Sequence, residues 1–409
     1  VGHVRHYLGI NVLEAAQQRI AWVFDTFKKI CVSFSGGKDS SVMLHLVMGE
    51  AIRRERKVCV LFVDLEGQYK LTINFIEQCY AMYADHIEPY WVALPILLRN
   101  AVSVYEPRWK CWDPNRRDDW IRESPKIAIT DTGTLPFFQE GMEFEEFAPA
   151  FGKWYAGGEP CACLVGIRTS ESLNRWRTIW SQSKETKDGR GWTTRVSGTT
   201  WNCYPIYDWK TEDIWVYNGK SGKPYNKLYD RMSQAGLSIH QQRICQPYGD
   251  DQRKGLWLFH IIEPETWGRV VARVNGANQG ALYAKESGNA LGRIKINKPD
   301  GHTWQSFAKL LLVSMPAPMQ EHYRRKILVF LQWWKEHGYA EIPDELSVKW
   351  ENGRGGERRP SWRRVCKTLL RNDYWCKGLS FSQNSSDKEV RERYRKLMKK
   401  REGLWNLTL

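Results

Sequence analysis

Along the first hundred residues, short apolar runs alternate with longer stretches in which apolar residues recur at helical spacing. Asn11, with Glu14 three residues later, reads as a capping box opening a helix that runs to about Phe27. An apolar β-branched run predicts a strand at Ile30–Phe34, and VMLHLVMGEAI (42–52) is long enough for the helix behind it. KVCVLFVD (57–64) is continuously apolar and ends in an acid, the pattern of a strand buried on both faces of a parallel sheet. A helical stretch from about Lys70 to Tyr83 leads to another strand in IEPYWVAL (87–94). This alternation predicts an α/β fold, a doubly wound and mostly parallel sheet with helices on both faces.

The rhythm breaks over residues 100–160, where Trp, Pro and acids crowd together, and this stretch reads as an insertion over the sheet edge. CACLVGIR (161–168) resumes the strand pattern, and TSESLNRWRTIW (169–180) continues as a helix. The Gly/Ser/Thr-rich segment 181–200 reads as a mobile surface loop. Residues 202–217 give a short strand, a turn and a helix that Thr211 would cap. Three regions follow: an α/β domain at 1–290 with its insertion, a mainly helical domain at 291–353, and a basic helical segment at 354–409.

No apolar run approaches the roughly 18–20 residues that a membrane span needs, and VGHVRHYLGINVLEAA lacks a signal-peptide core. The chain therefore reads as cytoplasmic, with its ten cysteines mostly reduced thiols. The formal charge of +15 is uneven: residues 354–409 hold 16 Lys and Arg against 6 Asp and Glu. Such a segment fits a polyanionic partner such as DNA, or equally a solvated basic helix face.

The densest chemistry lies in SFSGGKDSS (33–41), between a strand and a helix. Two glycines let the backbone approach a ligand, and unpaired amides of the first helical turn point at it, which makes an anion cradle. Ser33, Ser35, Gly36, Gly37 and Ser40 are the candidate nucleotide-binding positions, with Lys38 adding a mobile positive charge. Asp39 repels a phosphate unless a cation lies between them, which suggests Mg2+ held by Asp39. Asp64, Glu66 and Gly67 close the next strand, where an acid meets the ribose or adenine side of a nucleotide. In GIRTSESLNRWR (166–177), Arg168, Glu171 and Arg175 fall three and four apart, so a helix from Thr169 would present either a guanidinium clamp for an anion or a solvated ion-pair ladder. Asp208 in YPIYDWKTEDIW is a weaker candidate beside it.

These four motifs resemble, in order, those of the phosphoadenosine phosphosulfate (PAPS) reductase family within the ATP pyrophosphatase, or PP-loop, superfamily, from residue 30 to about 235. The resemblance implies an adenine nucleotide alpha hydrolase-like fold and ATP or PAPS as the nucleotide. It also implies that the segment holding Arg168, Glu171 and Arg175 contacts substrate phosphate or sulfate. NVLEAAQQRI at the start, the insertion and the tryptophan-rich C-terminal part resemble the subgroup that includes immunoglobulin-binding regulator A. That subgroup carries a C-terminal domain of unknown function and implies a ParB-like or sulfiredoxin-like protein partner.

The chain departs from the reductases where they place an ECGLH-type nucleophilic cysteine: Cys245, Cys366 and Cys376 all lack that context. Cys161, Cys163, Cys203 and Cys245 are not paired as iron–sulfur ligands usually are, so no cluster is expected. The leading expectation is ATP cleavage between the α and β phosphates with adenylyl transfer to an acceptor, Lys38 and Asp39 being the catalytic pair. The alternatives are PAPS reduction or sulfur transfer, and a nucleotide-dependent regulator or DNA-modification component.

Overall fold

The computed structural model describes residues 9–103, 106, 108–181, 183–244, 249, 255–274, 276–277, 296, 298–315, 317–346, 359–371, 373 and 376–381. The chain forms two compact units. One comprises residues 1–98, 110–247 and 258–273, the other residues 99–109, 248–257 and 274–409.

In the first unit the chain runs α1 (Val12–Thr26), β1 (Lys29–Ser33), α2 (Lys38–Arg53), β2 (Val58–Val63), α3 (Lys70–Met82) and β3 (Ile87–Val92). Asn11 caps α1, its side-chain oxygen accepting from the Glu14 amide at 2.9 Å. Past short strands β4 (Leu97–Arg99) and β5 (Arg108–Lys110), of which residues 99 and 108–109 count to the second unit, come helix α4 (Phe144–Ala156), then β6 (Cys161–Val165) and α5 (Leu173–Trp180). Strands β7 (Thr193–Ser197) and β8 (Thr200–Cys203) lead to α6 (Thr211–Ser221), α7 (Leu228–Gln234), α8 (Leu256–Ile262) and α9 (Pro264–Arg273). The six-stranded sheet has the order β3-β2-β1-β6-β8-β7. Only β7 in it is antiparallel to its neighbour. The doubly wound, mostly parallel sheet is thus observed.

Side chains alternate across the sheet. Ile30 and Val32 of β1, Val58 and Val60 of β2, and Ala162 and Leu164 of β6 enter the main core with α1, α2 and α3. Cys31, Cys59 and Cys163, which stand beside one another in register, occupy the other face. Helix α4 lies there, and Gly152 leaves room for Cys163: a Cβ on that glycine would stand 3.2 Å from its sulfur.

Two expectations change. The segment 181–200 is not all loop, because Thr193–Ser197 forms β7 and pairs back on β8 through a turn in which Gly198 has φ +50°. Helix α6 is capped by Lys210 rather than Thr211: Asp213 accepts from the Lys210 amide at 2.7 Å. The insertion does meet the sheet edge, where Ile129 exchanges backbone hydrogen bonds with Trp91 and Ala93 at 2.7 and 2.9 Å.

In the second unit, helices α10 (Trp304–Val313), α11 (Ala317–Glu336) and α12 (Trp362–Leu370) share one core that includes Phe307, Tyr323, Phe330 and Val365. Residues on either side of position 353 therefore pack together. Arg364, one of the basic segment's cations, is 4% exposed and donates to the Gly378 and Arg359 carbonyls at 2.8 Å each. The boundary read near residue 290, residues 354–358 and 382–409, and Cys245 lie outside the described residues. No described helix is long and apolar enough to cross a membrane.

Candidate functional site

Strand β1 ends at Ser33 and α2 begins at Lys38, so Phe34–Gly37 must turn strand into helix at the C-terminal edge of the sheet. Gly36 makes that turn with φ +70°, and an added Cβ there would come within 2.9 Å of Thr72 and 3.0 Å of Ile76. Backbone conformation and close approach to α3 both demand glycine. Ser40 and Ser41 donate to the Gly37 carbonyl at 3.0 and 2.7 Å, and the Ser35 and Ser40 hydroxyls lie 3.0 Å apart. Ser33 and Ser35 are exposed at the mouth. The end of β6 presses on the same turn: a Cβ on Gly166 would sit 3.1 Å from the Ser40 amide and 3.2 Å from the Asp39 carbonyl.

Three charges meet at the helix start. Lys38 is 6% exposed, lies 3.4 Å from the Asp39 carboxylate and donates to the Gln242 carbonyl at 3.0 Å. Arg168, 2% exposed, pairs with the other carboxylate oxygen of Asp39 and donates to Ser170 Oγ at 3.0 Å. Two cations against one carboxylate, beside the positive end of α2, leave a mouth suited to an anion. The Lys38 amide itself donates to the Tyr229 hydroxyl at 2.8 Å. Asn226 ties the turn from behind, its amide group reaching the Gly36 carbonyl and Thr72 Oγ1 at 3.0 Å each. Sequence reasoning missed Tyr229, Asn226 and Gln242 as site residues. No motif or spacing singled out any of the three.

Asp64 and Glu66 reach the sheet edge as expected but face inward, with both side chains fully buried. Asp64 pairs with Arg122 and accepts from Trp91 Nε1 at 2.8 Å. Glu66, held at φ +63°, accepts from the Trp112 amide at 2.7 Å, the Ile121 amide at 3.0 Å and Arg273 Nε at 3.0 Å. The turn through Gly67 is thus an anchor for the insertion, and in this arrangement its carboxylates present nothing to a nucleotide. The arginine motif also divides. Helix α5 starts at Leu173 behind the N-cap Ser172, not at Thr169, so Arg168 and Arg175 do not share a helix face. Arg168 turns inward to Asp39, while Arg175 is 41% exposed and pairs with Glu171 at 2.9 Å. Asp208 stands apart from the cradle, in a bidentate pair with Arg19 at 2.8 and 2.7 Å.

Asp39, the expected Mg2+ ligand, has its carboxylate committed to Arg168 and Lys38. Among the described residues no group of three or more His, Cys, Asp or Glu side chains is placed to hold a metal. That donor set does not fit a resident ion. Cys31, Cys59 and Cys203 are buried, and burial pushes their thiols up, away from the thiolate. Cys161 is raised as well, by its hydrogen bond with Cys163 and by burial.

The phosphoadenosine phosphosulfate reductase domain profile matches residues 29–239, and a domain of unknown function, DUF3440, matches residues 236–347. The uncharacterized protein YbdN of Escherichia coli (strain K12) is 44% identical over 98% of this chain and 97% of its own length. The adenosine 5'-phosphosulfate reductase of Halalkalibacterium halodurans is 22% identical over 61% of this chain and 92% of its own. Among solved structures, PAPS reductase from Candida auris in a phosphate complex matches 56% of this chain and 94% of its own, at 14% identity and a TM-score of 0.30. With the first profile spanning half of the sequence, the chain belongs to the phosphoadenosine phosphosulfate reductase domain family, and a DUF3440 domain follows that domain.

Proposed function

We propose that the chain is a PP-loop enzyme that binds ATP at Ser33–Ser41, cleaves between the α and β phosphates and passes adenylate to an acceptor. The observation that carries this reading is the strand–loop–helix turn with Lys38 and Arg168 converging on the N-terminus of α2. In the transfer, an acceptor oxygen attacks the α phosphorus and the bond to the bridging oxygen breaks, so pyrophosphate leaves with that electron pair. Lys38 and the loop amides stabilise the charge that grows on the leaving group. Arg168 balances Asp39 and holds it off the incoming phosphates, while Arg175 with Glu171 supplies an exposed cation for the acceptor. An anionic acceptor such as a carboxylate or phosphate needs no general base. The test is pyrophosphate release from MgATP with a panel of candidate acceptors, set beside ATP binding by wild type and Lys38→Ala. No release with any acceptor, together with unchanged ATP binding by Lys38→Ala, sinks the reading.

PAPS reduction or sulfur transfer is the second reading, supported by the reductase relative. It requires a reactive thiol, and burial disfavours the thiolate at Cys31, Cys59 and Cys203. Thioredoxin-dependent sulfite release from PAPS decides between the two. A regulatory or DNA-directed role with a ParB-like partner, in the manner of the subgroup with immunoglobulin-binding regulator A, draws on the charge of residues 354–409. A steep salt dependence of DNA binding would support it.

A further inference from the structure

The first-turn amides of α2 are donors without helical partners, which is what makes them an anion site. One of them is already taken: the phenol oxygen of Tyr229 accepts from the Lys38 amide at 2.8 Å. That oxygen comes from α7, 191 residues away in sequence, and Tyr229 is 2% exposed. Its ring sits against Trp215 edge to face, centroids 5.4 Å apart, and under the Lys38 ammonium at 5.6 Å. The same stretch of chain takes the Lys38 side chain too, since Nζ donates to the Gln242 carbonyl. Backbone amide and side-chain ammonium of one loop residue are thus both satisfied from within the protein.

The cover carries its own cost. Gln242 is 1% exposed, and its Oε1 has no hydrogen-bond partner in the protein; the buried Nε1 of Trp215 has none either. An unmet buried polar atom is unfavourable, so a rearrangement that frees these atoms recovers part of what moving the segment costs. A phosphate oxygen is also a stronger acceptor than a neutral phenol, because charge-assisted hydrogen bonds exceed neutral ones.

We propose that Tyr229 is an internal competitor for the anion. Its hydroxyl occupies the place of a ligand oxygen at the Lys38 amide, and a polyphosphate binds only as residues 225–242 yield that place and release the Lys38 ammonium. The proposal rests on reading the loop as a polyphosphate site. It makes affinity depend on the stability of a segment that need not touch the nucleoside.

Tyr229→Phe deletes the competing oxygen and keeps the ring. By calorimetry with inorganic pyrophosphate and with ATP on the full chain, the variant binds about two- to twelve-fold tighter than wild type, the range one net hydrogen bond represents. Its ligand-free melting temperature falls, because the Lys38 amide loses its partner. Equal or weaker binding by the variant, with wild type binding, overturns the competitor and leaves the nucleotide reading standing. Absence of binding by both proteins overturns the nucleotide reading itself. Wild-type hydrogen exchange gives a readout that does not depend on the variant folding: pyrophosphate should protect residues 35–41 and speed exchange in 225–242. Protection of both segments means the cover clamps the ligand, and the proposal falls.

Discussion

Strands β1 and β2 lie side by side, and each delivers an acidic turn to the same edge of the sheet. At the end of β2, Asp64 and Glu66 are fully buried and are bonded by Arg122, Arg273, two tryptophans and backbone amides. At the end of β1, Asp39 is only partly buried, Ser33 and Ser35 face solvent, and cations outnumber carboxylates. Position in the fold is therefore not what makes a binding turn. A turn becomes structural when the chain brings enough fixed donors to satisfy its acids, and it stays open to ligands when positive charge is left over.

The contrast can be broken most severely at its closed end. Glu66→Ala leaves the Arg273 guanidinium buried without its carboxylate, which costs about 3–5 kcal/mol in denaturant unfolding. A loss below about 1 kcal/mol would mean that the anchor is not needed for folding. Next comes acid. Burial lowers the His45 imidazole to about 4, where it bridges the Tyr83 hydroxyl and the Pro224 carbonyl at 2.8 Å each behind the loop. The unfolded chain takes up this proton near 6.5 and the folded one does not, so the contribution is complete above pH 6.5 and shrinks as pH falls toward 4. About 3 kcal/mol is at stake, and His45→Gln should flatten the slope of stability against pH in that window.

At the open end, Lys38→Ala should weaken ATP binding by about ten- to 150-fold, the range of a hydrogen bond to a charged group, while changing unfolding less than Glu66→Ala does. Equal effects on stability and binding would erase the distinction between the two turns. The smallest expected effect is Gly166→Ala, whose added methyl presses on the Ser40 amide. Overpacking of this kind costs about 1–3 kcal/mol, and it should loosen ATP binding more than it lowers the melting temperature.

Much of this was legible in sequence because it is local. Strand, Gly-Gly turn and helix follow one another between residues 29 and 53, so period and turn chemistry reveal them together. The burial of Asp64 and Glu66 was not legible, for the opposite reason. A carboxylate's role is set by what surrounds it, and here Arg122 and Arg273 arrive from 58 and 207 residues away. The parting of Arg168 from Arg175 arises on a shorter scale: Ser172 caps α5 and shifts its start by a few residues. Tyr229 and Gln242 could not be found by any spacing rule, since their contacts with Lys38 span 191 and 204 positions.

Those spans have a consequence during synthesis. The loop emerges from the ribosome with β1 and α2, whereas Arg168, Tyr229 and Gln242 follow much later. At about 5–20 residues per second, roughly 10–40 s separate the cradle from its cover. For that interval a nascent chain could display the loop with its amides unclaimed, and a cellular polyphosphate would meet it without competition. Under the function proposed above, nucleotide present during translation would then stabilise the growing sheet before the tyrosine arrives.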